Sequence, residues 1–556
     1  MLRRPTLSLL CAALLAAALP ARAQLSSLPP TVASSTLPPA SMTAPLPLAV
    51  ADALRAAGMP DNALSVLVLR GDQTVLAHLA DRAVPPASTM KIITTLVALE
   101  QLGPAFRGRT ELRTTAPLKG DVLQGDLVLR GGADIDLSTE ALTAMLRSLR
   151  YGGIRTIDGN LVLDRQLFNP ARPDLGVPPF DESPEAYYNV TPEALLVNKN
   201  MLQLDLRSTP RADGQASARV RVAVQPELDG VTVESDMKLV DADCARWDNG
   251  WQPPETITRP DGTLRVVLHG TFPKRCVASE SISVLDHQDY VARLVRRIWK
   301  TLGGTITGHA VEGATPPDAR LLAEHVSRAL PELVRDTNKP SDNVLARTMF
   351  LSLGALAPDP VLGSRPQPPS PAPGTVTTGA TTTSPTTTNA TLGPAPGTGG
   401  SAGSPAAAIT TAARSDTAIR TWLRTHGIDD TGLVLENGAG LSRSERVTPI
   451  QMAGVLQAGL RSNWAPEFQA SLPIVSVDGT MRRRLQGSPA AGRARLKTGS
   501  LSNLAALAGY VPDADGRMCV LVAVVNSDRV NNGRGRAVLD ALVDWVARLD
   551  GGAVLP

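Results

Sequence analysis

The sequence predicts a mixed α/β protein: an antiparallel sheet flanked by helices, interrupted by a β-rich insertion of one or two domains. Three observations carry this reading. Two alternating strand-like runs, residues 65–69 and 74–79, feed into an apolar helix over 92–102. From about residue 110 to 280 the texture changes to short alternating runs separated by turns, such as 125–132 and 202–206. Near the C-terminus two apolar strands, 504–511 and 518–525, meet across Pro512-Asp513-Ala514-Asp515-Gly516, and a helix over 536–549 closes the chain.

The first element is a leader. Arg3-Arg4, the apolar run 7–19 and Pro20-Ala21-Arg22-Ala23 make residues 1–23 an export signal. That run is shorter than the roughly 18 to 20 residues a bilayer requires, and no later stretch reaches that length, so no transmembrane anchor is expected. Cys11, behind the bulky Leu10, is a poor lipid-anchor cysteine. With 556 residues, 43% of them apolar, the chain has material for roughly three or four domains. Its net charge of +3 gives neither a nucleic-acid footprint nor a polybasic membrane patch.

Gly103-Pro104 ends the first long helix. The expected organisation is one discontinuous domain, 24–109 with 281–556, and an inserted β-rich region, 110–280. Helical periodicity returns at 289–302, 319–328 and 344–353. Residues 357–406 are almost wholly Pro, Thr, Gly, Ser and Ala, too poor in apolar side chains to offset ordering, and are expected to be disordered within the discontinuous domain. Cys244 and Cys276 could pair in an oxidising compartment, whereas Cys519 in an apolar strand reads as a buried thiol.

The chemistry starts at Ala87-Ser88-Thr89-Met90-Lys91, which follows Pro85-Pro86 and opens the helix. Residues three apart on a helix rise from one face, so the Lys91 amine can reach the Ser88 hydroxyl. A serine is a poor nucleophile unless a base takes its proton, and a lysine serves as base only where burial and neighbouring cations lower its pKa. Helix-start N–H groups would also favour negative charge developing beside Ser88. Alone the pair means little, because both residue types favour exposed helix starts. Ser235-Asp236-Met237-Lys238 repeats the spacing, but it continues the alternating run Val231-Thr232-Val233, so as a strand it places Ser and Lys on opposite faces.

Two further clusters follow. Asn338-Lys339-Pro340-Ser341-Asp342-Asn343 opens a helix and offers a hydroxyl and a carboxamide; by itself it is an ordinary cap. Arg495-Leu496-Lys497-Thr498-Gly499-Ser500 precedes the apolar strand at 504 and puts a cation and a hydroxyl at a cleft wall, with Gly499 leaving room for a substrate backbone.

In this order the three clusters resemble the motif set of penicillin-binding proteins and class A serine β-lactamases: Ser-x-x-Lys, Ser-x-Asn and Lys-Thr-Gly. The long stretch between the first two narrows the resemblance to the class C low-molecular-mass penicillin-binding proteins, the D-alanyl-D-alanine carboxypeptidase/endopeptidase family. Gly131-Gly132-Ala133-Asp134, Tyr188-Asn189, Val197-Asn198, Asn437-Gly438-Ala439-Gly440-Leu441-Ser442-Arg443 and Asp478-Gly479-Thr480 match as well. The resemblance implies a penicillin-recognition (β-lactamase/transpeptidase-like) domain and a periplasmic enzyme without metal or cofactor. Its partners would be peptidoglycan stem peptides, with β-lactam antibiotics as covalent inhibitors. Ser88 would attack the carbonyl between two terminal D-alanines and Lys91 would accept its proton. Ser341 would pass a proton to the leaving amine, and Asn343 would hold the substrate amide and help place Lys91. Lys497 and Thr498, in the Lys-Thr-Gly stretch with Gly499, would bind the terminal carboxylate. The N–H groups of Ser88 and Ser500 would form the oxyanion hole, each donor worth about 3 kcal/mol. The resemblance also assigns side-chain recognition to Arg443 and to Asp181 of the insertion.

Rival chemistries fit less well. A class A β-lactamase needs a hydrolytic glutamate, and Glu436 lacks the Glu-x-x-x-Asn spacing. A Ser-His-Asp hydrolase needs a placed histidine, and the six histidines are scattered; no His-Glu-x-x-His or paired-cysteine ligand pattern occurs. A non-catalytic wall scaffold that binds penicillin is the remaining alternative.

Overall fold

The computed structural model describes residues 44–176, 178–208, 219–368 and 409–550. The expected export signal and most of the low-complexity tract lie outside these residues. A five-stranded antiparallel sheet runs in the order Gln73–His78, Leu64–Arg70, Met518–Asn526, Leu504–Pro512, Arg495–Leu501, so the first strands of the chain pair directly with the last. Every residue of Leu64–Arg70 is buried, because both faces are covered and alternate side chains enter different cores. Leu64, Val66 and Val68 join Val50, Leu54, Val538 and Leu542 beneath the helices Leu48–Ala56 and Arg534–Ala547. Leu67 and Leu69 join Ile92, Leu96, Phe350 and Leu456 on the opposite face.

The central helix, Lys91–Gln101, is buried at every position from Lys91 to Leu99. It packs among Asn343–Ala355, Thr411–Thr425 and Pro449–Arg461. The helices before and after the low-complexity tract touch each other: a Cβ on Gly354 would fall 2.4 Å from the Thr411 carbonyl oxygen. The helices on either side of the tract therefore belong to one core. Its expected start at residue 357 is too early, since Leu356–Asp359 and Gly363–Pro366 form a hairpin whose end is tied down by Gln367 N–H donating to the Ala355 carbonyl at 2.8 Å.

The insertion has its own core, and the expected boundary at 280 is corrected. Ala310–Glu312 and Arg320–Val326 complete the sheet of Arg109–Thr114, Leu127–Gly132 and Leu161–Asp164, while Tyr290, Val295 and Trp299 of helix His287–Thr301 fill the core beneath. The inserted body thus runs to Val326. The helix expected over 319–328 is a strand. A bulge between Leu321 and Ala323 breaks its alternation, so the neighbours Leu322 and Ala323 both pack on the core and mimic a helical stripe. The insertion is also less purely β than expected, for Thr139–Tyr151 forms a helix capped by Ser138, whose Oγ accepts from Ala141 N–H at 3.2 Å.

The Ser235–Lys238 spacing is confirmed as a decoy: Ser235 ends one strand and Lys238 begins the next. Cys519 is a buried free thiol. Cys244 and Cys276 form a disulfide that closes a loop of sequence separation 32 within the insertion. Changing both cysteines to serine should cost about 2–4 kcal/mol of insertion stability. Reduced amide-exchange protection confined to the insertion, with protection of the five-stranded sheet unchanged, would match the separate cores; an equal loss in both would not.

Candidate active site

The residues Ala87–Met90 form a single tight turn that runs directly into the central helix. Ala87 has φ +45°, left-handed for a residue with a Cβ, and Ser341 has φ +68°. Strained non-glycine backbone of this kind costs about 1–3 kcal/mol and persists only where the surroundings enforce it. Here they do. Gly440, at φ +80°, lies so close that a Cβ on it would fall 1.7 Å from the Ala87 carbonyl oxygen. Gly499 presses on the same turn: a Cβ there would meet the Pro86 carbonyl oxygen at 2.9 Å and Ser88 N at 3.1 Å. The missing side chain of Gly499 thus admits the Ser88 turn, and Gly499 also lines the cleft.

Lys91 Nζ lies 2.9 Å from Ser88 Oγ, and it donates to Asn343 Oδ1 at 2.7 Å and to the Ala439 carbonyl at 2.6 Å. Burial holds its pKa down to about 7, against the opposing pull of Asp342 and Glu445 and with a smaller push from Arg347. A neutral amine carries two N–H bonds and one lone pair. The two carbonyl-type oxygens can only accept, so they take both hydrogens and leave the lone pair to the Ser88 hydroxyl.

The Ala439 carbonyl is held by a carboxylate that sequence reading missed. Glu445 Oε1 accepts from the N–H groups of Glu436, Asn437 and Gly438 at 3.1, 3.0 and 3.0 Å. Thr94 of the central helix donates to the Gly438 carbonyl at 2.6 Å. Glu436, the only glutamate weighed for a β-lactamase-type role, turns to the hydroxyls of Ser442 and Ser444 and does not line the cleft.

Asp342 caps the helix Asn343–Ala355 by accepting from Leu345 N–H at 3.0 Å, and it also accepts from Tyr187 and Lys199 of the insertion. An aspartate ahead of an apolar run was a readable cap signal; its reach into the insertion was not. Lys497 Nζ donates to Ser341 Oγ at 2.7 Å and to the Thr498 carbonyl at 3.0 Å. Burial, reinforced by the Lys91 charge, pushes the Lys497 pKa well below its ordinary value. Thr498 donates to Thr480 Oγ1 at 2.8 Å, and Thr480 N–H in turn donates to the Lys339 carbonyl at 3.1 Å, so the Asp478-Gly479-Thr480 turn braces the strand against the Ser341 loop.

Ser88, Ser341, Thr498, Gly499 and Ser500 line one cleft. Lys91, Asn343 and Lys497 are buried against it through the bonds above. Asp181 and Arg443 stand apart from this lining, at its insertion side. Arg443 Nη2 donates to the Phe180 carbonyl at 3.0 Å, and Asp181 accepts from Tyr188 OH and Asn189 Nδ2, each at 2.8 Å. These hydrogen bonds hold the Asp181 carboxyl below its ordinary range, with a contribution from Arg443, although partial burial opposes them. Tyr188 links the two regions, since its carbonyl accepts from Asn343 Nδ2 at 3.3 Å.

Residues 49–361 and 403–549 match the D-Ala-D-Ala carboxypeptidase 3 (S13) family. The chain is 27% identical over 479 residues to a D-alanyl-D-alanine carboxypeptidase of an Actinomadura species, covering 83% of this chain and 76% of the relative. It is 25% identical over 451 residues to the D-alanyl-D-alanine carboxypeptidase DacB of Haemophilus influenzae, covering 79% and 80%. The crystal structure of penicillin binding protein 4 from Haemophilus influenzae superposes with a TM-score of 0.67 at 21% identity, over 90% of this chain and 99% of that one.

Gly440→Ala should push the Ala87 carbonyl out of place and slow penicillin acylation by at least about a hundredfold. Gly492→Ala, at φ +73° with nothing within 4 Å, carries similar backbone strain without the clash and should leave the rate unchanged. Equal rates for both variants would remove Gly440 from the site's construction.

Proposed function

Because the chain belongs to the D-Ala-D-Ala carboxypeptidase 3 (S13) family and has the fold of penicillin binding protein 4, we propose that it is a periplasmic serine D-alanyl-D-alanine carboxypeptidase that also cleaves D,D cross-links in peptidoglycan. The observation that carries the reading is the Ser88–Lys91 contact at 2.9 Å, with both Lys91 hydrogens committed elsewhere.

In the proposed reaction Ser88 Oγ attacks the carbonyl of the penultimate D-alanine while its proton passes to Lys91 Nζ. The oxyanion is held by the N–H groups of Ser88 and Ser500, an assignment supported by the close approach of Gly499 to Ser88 N. The C–N bond then breaks as Ser341 relays the proton held by Lys91 to the leaving amine, itself ending neutral; water then attacks the acyl-enzyme, giving a proton to Lys91 that returns to Ser88 Oγ as the ester C–O bond breaks. Lys497 and Thr498 bind the terminal carboxylate. That carboxylate would favour the cationic form of Lys497, and a charge there would favour neutral Lys91. Substrate binding thereby activates its own base. A β-lactam would acylate Ser88 by the same route. Arg443 and Asp181, on the insertion side, would read the stem-peptide side chain.

Wild-type protein should take up fluorescent penicillin covalently, trim one D-alanine from pentapeptide and split cross-linked dimers by mass analysis. Ser88→Ala should lose label and turnover by at least about a thousandfold. Equal labelling of wild type and Ser88→Ala would defeat the assignment.

A further inference from the structure

The cleft continues past Thr498. It runs beside the edge strand to the loop after Thr480 and the start of the C-terminal helix, a volume of about 570 Å³ whose far end is lined by Arg482, Arg483, Arg484 and Arg536. Arg484 is already engaged, donating to Asp540 from Nε at 3.1 Å and Nη2 at 2.6 Å. Arg482, Arg483 and Arg536 are exposed, their side chains have no hydrogen-bond or ion-pair partner among the described residues, and no carboxylate lines the cleft. Elsewhere the guanidinium groups are often shared between carboxylates, as Arg172 is between Asp174 and Asp286, and Arg328 between Asp136 and Asp336. Three uncompensated cations around one walled opening raise its potential and draw in anions, and the planar guanidinium fork suits carboxylates.

The position of this wall says which carboxylates. Leu496 belongs to the core under the C-terminal helix, so Thr498 and Ser500, two and four residues on, share that side of the strand, while Lys497 and Gly499 turn toward Ser341 and Ser88. The arginines therefore lie beyond the residues proposed to hold the terminal carboxylate. A single leaving alanine ends there. A leaving residue that is part of a second stem peptide continues past it, carrying further carboxylates.

We propose that Arg482, Arg483 and Arg536 form an anion subsite for the second strand of a cross-linked substrate, favouring cleavage of cross-links over removal of a terminal D-alanine. The inference rests on the serine-acylation reading above. The test compares wild type with Arg482→Gln/Arg483→Gln and with Arg536→Gln on purified cross-linked muropeptide dimer, on uncross-linked pentapeptide, and in penicillin acylation. Expected is a 10- to 100-fold loss of kcat/KM on the dimer, mostly through KM, mimicked in the wild type by raised salt and partly restored by Arg482→Lys/Arg483→Lys. Pentapeptide and penicillin rates should change less than twofold, which also reports that the variants are folded. Equal losses on dimer and pentapeptide, an unchanged dimer rate, or a wild type that trims pentapeptide and leaves dimers intact would overturn the subsite. A wild type that takes no penicillin label would instead overturn the acylation reading beneath it.

Discussion

A lysine amine shut away from water at the start of a helix buried from Lys91 to Leu99 is the constraint around which the rest of this protein is arranged. Moving Lys91 from its ordinary pKa of 10.5 to about 7 corresponds to about 5 kcal/mol against the charged form. The helix that carries it also buries Ile92, Ile93, Leu96, Val97 and Leu99, worth of order 10 kcal/mol together, so the core can hold the amine in place. The acceptors of that amine come from far along the chain, 252 residues away at Asn343 and 348 at Ala439. The polar site and the apolar core are thus one construction.

The same economy explains the glycines. Gly440 and Gly499 both abut the Ser88 turn, and both admit it only because they lack a Cβ. The loop bearing Gly440 is shaped by the buried Glu445 carboxylate, whose three backbone donors offset part of the cost of burial. The Val84–Val447 bridge, with N–H donation in both directions at 3.0 Å, fastens that loop to the chain just ahead of Ser88. The insertion takes part as well, through Tyr187 and Lys199 on Asp342 and Tyr188 on Asn343.

How much of this could be read from residues alone follows physical lines. Local signals transferred well: the Ser88 turn, the Asp342-capped helix, the 504–525 hairpin and the decoy at Ser235 all depend on neighbours in sequence. The order of three weak motifs was enough to assemble a cleft, because each contributes a group whose chemistry is fixed by residue type. What escaped depended on tertiary context. The bulge at Leu321–Ala323 disguised a strand as a helix, and the paired strands at 310–326 extended the insertion past residue 280. Glu445 acts through backbone N–H groups, which leave no mark in residue type, and the Ala439 carbonyl could belong to any residue. The contact of Gly499 with the Ser88 turn escaped because close approach of two backbones is visible only once both are folded.

The central claim is that Lys91 is a neutral base at physiological pH. Burial disfavours its ammonium form, so the amine should dominate above about 7, and acylation by a β-lactam should rise with pH to a plateau there and fall about tenfold per pH unit below it. The most direct measurement is an NMR titration of isotope-labelled lysine Cε resonances, with Lys91 assigned by its disappearance in Lys91→Met. A midpoint near about 7 that coincides with the acylation profile is the predicted result. A midpoint near the ordinary 10.5, or an acylation rate indifferent to pH across that midpoint, would contradict it.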